Sequence, residues 1–424
     1  MTGLRRNPAF RLFWLASTVS DFGSYITTLA ISVLVLVTLD GTAFDQGLVN
    51  ASRWIPYLLF GLLAGIWVDR YRRRLVLVVG DLGRGLVLAL LCVLALVGVL
   101  TVPPLAALMF VFGCLSLMSD AAFQSFVPQL VPRSSLVRAN FRLQQSETVA
   151  QLGGSTVAGA LIALVTAPFA LLIDALSYFF SGFVLLSLRQ TETNRPPSVE
   201  TASTAQRIGE GLRWVYRHPR LLPMAVGTPV WFIGSSMLGT AFPALVLLQF
   251  DLGPVALGLL LGCAGVGSVL GLLCAMRLDA RFGTGRVLIT MRFVQATSVA
   301  LIALGAVLGP VPAIAAAAVG QFLLGLAMGA EGPLEISYRQ AITPDRLLGR
   351  TNATMRSVNR GMIVVGALLG GSIATSWNVA SALWIAAGLM AIGGIALAVL
   401  GFASARIDRD GLVDDSAPGD TVEG

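Results

Sequence analysis

The stretch Pro132-Arg-Ser-Ser-Leu136-Val-Arg138-Ala-Asn140 recurs in the second half of the chain as Pro344-Asp-Arg-Leu-Leu348-Gly-Arg350-Thr-Asn352. Its four shared residues are each offset by 212 positions, which is half of the 424-residue chain. A looser pair, Asp69 with Arg73 and Asp279 with Arg286, is offset by 210 at the aspartates. An internal repeat indicates the architecture of a whole chain, whereas a single motif indicates only a local feature. The chain is therefore predicted to contain two similar halves.

The composition places the chain in a membrane. Hydrophobic residues make up 56% and charged residues only 12%, against about 25% charged in a soluble domain, which excludes a soluble enzyme. Apolar runs such as 86–100 and 382–402 are long enough to approach the roughly 20 residues of a spanning helix. They lack the alternating polarity of barrel strands, so the fold class is an all-α membrane protein.

Cutting the chain at polar and proline-rich breaks predicts twelve transmembrane helices. They lie near 12–39, 47–69, 75–100, 104–127, 140–164, 168–188, 221–248, 254–276, 287–308, 311–336, 352–375 and 379–403. Since six is an even number, both halves cross in the same direction and form parallel six-helix pseudo-repeats. The predicted domains are a bundle over 1–188, a linker over 189–220, a bundle over 221–405 and a tail over 406–424.

The arginines predict the orientation. All 29 basic residues are arginine, and they cluster before the first predicted span and after every even-numbered one. The intervening connections contain none, and positive charge is retained on the cytoplasmic side. Both termini are therefore expected in the cytoplasm of a plasma (inner) membrane protein, here taken as monomeric. The net charge of +7 follows this topology, so we expect no nucleic-acid partner.

The linker and the tail differ from the spans. Residues 191–206 are rich in Pro, Ser and Thr and predict a flexible segment, whereas 207–217 has the pattern of an amphipathic surface helix. The acidic tail is predicted to be disordered.

Several kinds of chemistry are missing from the sequence. Without lysine there is no Walker A loop, and the only histidine, His218, lies in a polar connection. The four cysteines, at 92, 114, 263 and 274, lie in apolar runs and predict small hydrophobic side chains rather than ligands. We therefore expect no enzyme activity, no cofactor and no metal.

The segment Gly65-Ile-Trp-Val-Asp69-Arg70-Tyr-Arg72-Arg73-Arg74 resembles the signature G-x-x-x-D-R-x-G-R-R of the major facilitator superfamily, with Arg72 in place of the second glycine. The chain also resembles the branch of macrolide-efflux and enterobactin-type siderophore exporters. That likeness is carried by Ser20-Asp21-Phe-Gly, Asp81-Leu-Gly-Arg84, Leu136-Val-Arg-Ala-Asn140 and Ile173-Asp174-Ala-Leu-Ser177-Tyr-Phe-Phe-Ser181. The resemblance implies an exporter driven by the proton gradient. It departs from drug/proton antiporters in span five, where Gly153-Gly-Ser-Thr-Val-Ala-Gly159 lacks their Gly-Pro pair.

The family signature implies a gate. Asp69 ends its predicted helix where the helix dipole disfavours an anion, so other groups must hold it. We interpret Gly65, Asp69, Arg70 and Arg73, with Asp279 and Arg286 of the second half, as a gate that pairs helix ends. The alternative is a topology signal with an incidental aspartate.

Ionisable side chains inside the spans indicate function, because each costs about 3 kcal/mol at a helix centre. Asp21 is our first candidate for proton coupling, since it lies near mid-depth without a basic residue close in sequence. Glu147 is the second candidate and Asp120 the third. The alternative for Asp21 is burial against a hydroxyl or an arginine of another helix.

The other intramembrane charges are interpreted as structural pairs. Asp81 with Arg84 can neutralise each other on one helical face. Arg53 can pair with Asp174 or bind an anionic substrate. Glu331 and Glu335 in span ten could meet Arg356 and Arg360 in span eleven as a ladder between adjacent helices.

Aromatic and sulfur side chains suit an adaptable apolar substrate pocket. By family analogy the candidates are Trp14, Phe22, Tyr25, Trp231, Phe232, Met237, Phe322 and Met328. Each could instead pack in the core or face lipid.

The sequence therefore predicts a secondary transporter that exports a hydrophobic or amphiphilic small molecule in exchange for protons, with the bilayer as its surroundings. The alternatives are a lipid or lysolipid translocator, an importer on the same fold, and a membrane sensor without transport.

Overall fold

The computed structural model describes residues 7–68, 70–132, 135–188, 204–308 and 310–406. The tail after 406, most of the linker before 204 and Asp69 lie outside these residues. The first half contains α1 (Pro8–Val33), α2 (Ala43–Val68), α3 (Arg73–Leu96), α4 (Val102–Leu130), α5 (Leu136–Val165) and α6 (Ala167–Ser187). A shorter helix, α7 (Thr204–Arg217), precedes the second half.

The second half contains α8 (Leu222–Ala244), α9 (Pro254–Phe282), α10 (Thr284–Gly305), α11 (Pro310–Ile342), α12 (Asp345–Ser376) and α13 (Val379–Val399). Helices suit this chain because a spanning segment must satisfy its backbone hydrogen bonds internally. No strand occurs among the described residues. The chain is an all-α membrane protein, as predicted.

Twelve of these helices are long, and ten meet the length and hydropathy expected of a membrane span. An eleventh span results if Arg138–Gln151 and Gly153–Val165, which are bent by 41° in α5, are counted together. The remaining long helix is α2, whose first half contains Asp45 and Arg53. Several helices extend beyond the predicted spans, because helical hydrogen bonding continues where the apolar run has already ended.

The packing of the helices repeats between the halves. In the first half α1 contacts α5 and α6, α3 contacts α4 and α6, and α2 contacts α4. In the second half α8 contacts α12 and α13, α10 contacts α11 and α13, and α9 contacts α11. The two lists are identical once each helix is matched to its counterpart in the other half. The same packing is thus built twice.

A local feature also repeats. A π-helical turn follows α1 at Leu34–Thr38 and α8 at Leu245–Gln249, an offset of 211 residues. Asp40 and Asp251 then adopt the left-handed conformation with φ of 50° in both cases, which aspartate tolerates better than most residues. The repeat therefore extends to backbone geometry.

The helix ends define two faces. We call the face that carries residues 7 and 406 the terminal face, and the face with connections 39–42, 97–101, 166, 250–253, 306–308 and 377–378 the distal face. Asn7 caps α1 by accepting a hydrogen bond from the Phe10 amide, and Asn378 caps α13 at the distal face. Because all described arginine-rich connections lie at the terminal face, the charge pattern of the sequence maps onto one side of the bundle.

Candidate functional site

The two halves share one apolar core at the distal side and have separate cores at the terminal side. The shared core joins residues such as Leu34 of the first half with Leu245 of the second. Toward the terminal face, one cluster around Phe126 belongs to the first half and another around Met224 belongs to the second. Toward the terminal face the halves thus have separate apolar cores and meet through polar side chains of α12, and we call the region between these two cores the cleft.

Helices α5 and α9 close the distal side by glycine contact. A Cβ on Gly258 would lie 2.7 Å from the Ser155 carbonyl oxygen and 2.9 Å from the Gly159 Cα, closer than real Cβ atoms approach. Thr156 Oγ1 also donates to the Gly258 carbonyl oxygen at 3.4 Å. Small residues permit such close helix approach inside a membrane. The glycine-rich run in span five thus serves the contact between halves.

Helices α2 and α12 close the other side of the cleft. A Cβ on Gly47 would overlap the Ala367 carbonyl oxygen, and one on Gly371 would lie 2.6 Å from that of Ala43. The amide of Phe44 donates to Thr375 Oγ1 at 2.9 Å. Both closing pairs thus join the first half to the second near the distal face.

Asp21 lies on α1 about 20 Å along the helix axis from Pro8, near the middle of the bundle. Its side chain is half-buried and forms no hydrogen bond or ion pair within the described parts of the chain. The adjacent aromatic residues Phe22 and Tyr25 pack against Gly153 and Gly154 of α5. Asp21 is thus a carboxyl group at mid-depth without a direct partner.

Glu147 lies on the opposing helix α5 and is exposed. It accepts a hydrogen bond from Gln144 on its own helix at 3.1 Å. At the preceding residue of α5, the Trp14 indole donates to Ser146 Oγ at 2.7 Å and joins α1 to α5. Arg142, the structural partner considered for Glu147, forms no ion pair with it among the described residues.

Asp120, the third candidate, connects the two halves. It accepts hydrogen bonds from Tyr57 at 2.9 Å and from Arg360 Nη1 at 2.6 Å. Arg360 belongs to α12 and lies 4.4 Å from the Tyr57 ring centroid and 5.3 Å from that of Trp54. An arginine of the second half is therefore inserted between aromatic rings of the first half.

The ladder expected between spans ten and eleven has different partners in the structure. Arg360 pairs with Asp120, and Arg356 Nη2 lies 2.8 Å from the amide oxygen of Gln124 when that amide is oriented toward it. Glu331 and Glu335 pair instead with an arginine of α10. The spacing of one turn between Arg356 and Arg360 does give two successive contacts. These contacts are made with α4 and not with α11 as predicted.

Of the two other ion pairs predicted from the sequence, one is present in the structure and one is not. Asp81 and Arg84 form the ion pair, and Ser181 Oγ also donates to Asp81 at 2.6 Å. Asp174 is fully buried and accepts from Thr27 at 2.5 Å and Ser177 at 2.8 Å, with no ion pair to Arg53.

Arg53 lies beside aromatic rings and a hydroxyl group instead of pairing with Asp174. Its guanidinium lies 5.2 Å from the Phe112 ring centroid and 5.7 Å from that of Trp54, and Nη1 is 3.5 Å from Thr28 Oγ1. Hydroxyl groups next to Asp174 replace the arginine expected from the sequence.

Arg292 was not among the charge pairs predicted from the sequence. This arginine lies on α10 with its Nε 2.5 Å from Glu331 Oε1 and its Nη2 3.1 Å from Glu335 Oε2. An arginine eight residues inside α10, within an apolar run, was a detectable signal, because charged groups at that depth are costly. Its partners lie on α11, which sequence spacing within one helix cannot reveal.

Most of the residues predicted to form a gate lie among the described residues. Asp69 lies outside the described residues, so its pairing stays a prediction. Gly65 is in the last turn of α2, Arg70 is exposed in the turn after it, and Arg73 begins α3. In the second half Asp279 accepts from Thr284 Oγ1 at 2.7 Å, and Arg286 is exposed on α10.

The candidate cavity residues differ in exposure. Trp14, Phe22, Tyr25, Phe232 and Phe322 are half-buried, and Met328 is exposed. Trp231 is almost fully buried and its indole donates to Gln295, while Met237 is fully buried against Gly370. Met237, predicted to line the cavity, thus belongs to the packing between α8 and α12 in this structure.

Comparison with curated proteins finds transporters of similar length. The chain is 26% identical over 384 residues to "Multidrug efflux pump Tap" of Mycolicibacterium fortuitum, covering 88% of this chain and 91% of the relative. It is 24% identical over 405 residues to "Uncharacterized MFS-type transporter YfiS" of Bacillus subtilis (strain 168), covering 92% of each chain. Both likenesses extend across the two halves.

Solved structures show the same fold. The crystal structure of a point mutant of the nucleoside transporter NupG gives a TM-score of 0.76 at 14% identity, covering 93% of this chain and all of that one. A bacterial homologue of the iron transporter ferroportin in the inward-facing state gives 0.69 at 15% identity, covering 95% of this chain and all of that one.

The family comparison covers nearly the whole chain. Residues 3–413 match the family described as "Transmembrane secretion effector". That match includes both six-helix halves and the helix between them. The chain is therefore a multi-pass transporter, not an enzyme, and belongs to the transmembrane secretion effector family of the major facilitator superfamily.

Proposed function

We propose that this transporter exports a hydrophobic or amphiphilic small molecule, such as a drug, a macrolide-like compound or a siderophore, in exchange for protons. The observation that carries the proposal is the distribution of the apolar cores: the halves share a core at the distal side and have separate cores at the terminal side. In this proposal the bundles 1–188 and 221–405 rock about the cleft so that it opens to one face at a time. In the same proposal the termini lie in the cytoplasm of the inner membrane, on the side where the two halves have separate cores.

The substrate class is supported by the relatives and by the aromatic residues of α1 and α8. The relative in Mycolicibacterium fortuitum is named a multidrug efflux pump. Phe22, Tyr25 and Phe232 are half-buried and uncharged, and large apolar rings bind varied apolar ligands by burial rather than by fixed hydrogen bonds.

Asp21 is the proposed coupling carboxyl group of the first half. It is half-buried at mid-depth and has no hydrogen-bond or ion-pair partner among the described residues. A carboxyl group in such a place can bind a proton from one side and release it to the other when the cleft changes its opening. Glu147 is the second candidate, because it lies on α5, which packs against α1. Asp120 has an arginine partner, so we assign it to the contact between halves.

Transport into inverted vesicles tests the proposal. Uptake of ethidium, an amphiphilic cation, would be measured with and without an imposed pH gradient, acidic inside. The wild-type protein is expected to accumulate ethidium only with the gradient, and Asp21→Asn is expected to abolish this dependence. Asp251→Asn is the matched control, because Asp251 is exposed at the distal face and asparagine tolerates its left-handed backbone.

The outcomes separate the alternatives. Gradient-driven uptake that survives in Asp21→Asn would refute the coupling role of Asp21. A lipid or lysolipid translocator would move fluorescent lysolipid rather than ethidium, and an importer would run in the opposite direction. No flux of either probe in proteoliposomes would favour a membrane sensor. A tag inserted after Arg350 must be reachable from the cytoplasm if the orientation is right.

A further inference from the structure

The second half contains a buried cluster of three charged side chains on α10 and α11. One guanidinium, that of Arg292, faces two carboxyl groups, Glu331 at 2.5 Å and Glu335 at 3.1 Å. The side chains of Arg292 and Glu331 are only 3% and 5% exposed, and that of Glu335 is 14% exposed. The cluster is thus sealed from bulk water on most sides.

The groups around the cluster are neutral. From α8, Thr228 Oγ1 lies 3.4 Å from Arg292 Nη2, and the Trp231 ring centroid lies 4.7 Å from the guanidinium carbon. From α10, Gln295 Nε2 donates to Glu331 Oε2 at 2.5 Å. Helix α13 contributes Gly394 beside Arg292 and contains no charged residue.

One more arginine lies beside the cluster. Arg339, one turn after Glu335 on α11, forms a longer ion pair with the Glu335 carboxylate at 3.9 Å, beyond hydrogen-bond distance. Helix α9, which packs on α11, carries its charged residues Arg277, Asp279 and Arg281 near the terminal face, and none forms an ion pair with the cluster. The described arginines of α12 are directed elsewhere: Arg350 pairs with Glu210, Arg356 faces Gln124 and Arg360 pairs with Asp120.

Within hydrogen-bond contact the cluster therefore holds one positive and two negative charges. Two buried carboxylates that share one close guanidinium repel each other, and a proton on one of them removes that repulsion. Glu331 is the carboxyl group to protonate, because it is the more buried of the two and has Arg292 as its only ion-pair partner among the described residues, whereas Glu335 also pairs with Arg339. Glu335 keeps its charge, since it lies nearer to Arg339 and to the terminal face.

We propose that the Arg292–Glu331–Glu335 cluster is a proton-binding site of the second half, with Glu331 as the group that takes up the proton. Binding forms one O–H bond on Glu331 and breaks its ion pair with Arg292, which then pairs with Glu335 alone. Release reverses both changes. This inference rests on the proposed proton-coupled export and adds a site in the second half to Asp21 in the first.

The site is connected both to the terminal face and to the cleft. Exposure of the charged side chains increases along α11 from Glu331 through Glu335 to Arg339, so protons can arrive from water at the terminal face. In the other direction the Trp231 indole donates to Gln295, which donates to Glu331. Because Phe232, packed edge-on against Trp231, is half-buried, a substrate bound beside α8 would shift Trp231 and alter proton affinity.

Infrared spectroscopy of the purified full-length protein tests the proton directly and needs no transport. The C=O stretching band of a protonated carboxyl group would be followed as pH is raised in wild type, Glu331→Gln and Glu335→Gln. We expect the titrating band to lose one component in Glu331→Gln and to keep it in Glu335→Gln, while the component from Asp21 remains in all three proteins. A Glu331→Gln spectrum equal to that of wild type, or loss of the band in Glu335→Gln alone, would overturn the proposal.

A second measurement covers the case in which Glu331→Gln does not keep wild-type helicity. Dicyclohexylcarbodiimide modifies protonated carboxyl groups in apolar surroundings, and fragment-ion mass spectrometry of the wild-type protein locates the modified residue. Modification at Glu331 that declines as pH rises supports the site. Modification of Asp21 without any at Glu331 contradicts it.

The proton-binding site and the export proposal can be refuted separately. A missing Glu331 proton would leave gradient-driven ethidium uptake through Asp21 intact. Conversely, a titrating Glu331 in a protein that moves no probe would retain the site and refute export.

Discussion

Adding one methyl group at Gly258 should open the distal side of the cleft. In the structure an alanine Cβ at this position would lie 2.7 Å from the Ser155 carbonyl oxygen and 2.9 Å from the Gly159 Cα. Both are backbone atoms, so no side-chain rotation relieves the overlap, and α5 and α9 must separate. Overpacking of this kind costs about 1 to 3 kcal/mol.

That cost applies only to the conformation in which α5 and α9 touch near the distal face. If the halves rock between two states, the ratio of the states shifts by roughly 5- to 150-fold toward the one with the distal side open. Gly258→Ala is therefore expected to change the conformational population more than it changes the stability of each bundle.

Electron–electron double resonance measures this shift. Spin labels at Val99 and Val307, exposed at the distal face on different halves, report the separation of the halves. Gly258→Ala should add a population at longer distance. The control is Gly239→Ala, since Gly239 also lies within a spanning helix and a Cβ there meets nothing within 4 Å. An unchanged distance distribution in Gly258→Ala would refute the idea that this contact closes the distal side.

Two further changes test the packing within and between the halves. Gly23→Ala places a Cβ in steric overlap with Asp174 Oδ1, so the melting temperature should fall by the equivalent of about 1 to 3 kcal/mol, whereas Gly388→Ala, with open space around it, should leave it unchanged. For the ion pair between the halves, whose side chains are 37% (Asp120) and 25% (Arg360) exposed, a double-mutant cycle of Asp120→Asn and Arg360→Gln should give a coupling of about 1 kcal/mol or less, because solvent screens the charges. A coupling that did not decrease at high salt would contradict the solvent screening expected for this pair.

The fold could be predicted because it follows from local properties of the chain. Apolar runs and their breaks located the helices, and the 212-residue offset between Pro132–Asn140 and Pro344–Asn352 predicted two similar halves. The helix ends were less predictable, as α11 and α12 show, because polar residues can continue a helix beyond the apolar run. The paired π-helical turns were not predicted, because they depend on backbone hydrogen bonds rather than on hydropathy.

The candidate site was predicted only in part. Asp81 with Arg84 could be paired from a spacing of three residues, which places two side chains on one helical face. The partners of Asp174, Glu331, Glu335 and Arg360 lie on other helices, and a rotation of one helix by a fraction of a turn would exchange them. Arg292 was overlooked, although its charge within an apolar span was visible in the sequence.

By itself, the sequence determined that the chain crosses a membrane many times and is built twice, because hydropathy and charge act residue by residue against a fixed bilayer thickness. The tertiary structure alone decided which helices approach through Gly159 and Gly258, which carboxyl groups meet an arginine, and on which side the two halves share a core. Those properties depend on the relative rotation and tilt of neighbouring helices. Side chains from distant parts of the chain set that rotation and tilt by packing against each other, so no local sequence pattern predicts them.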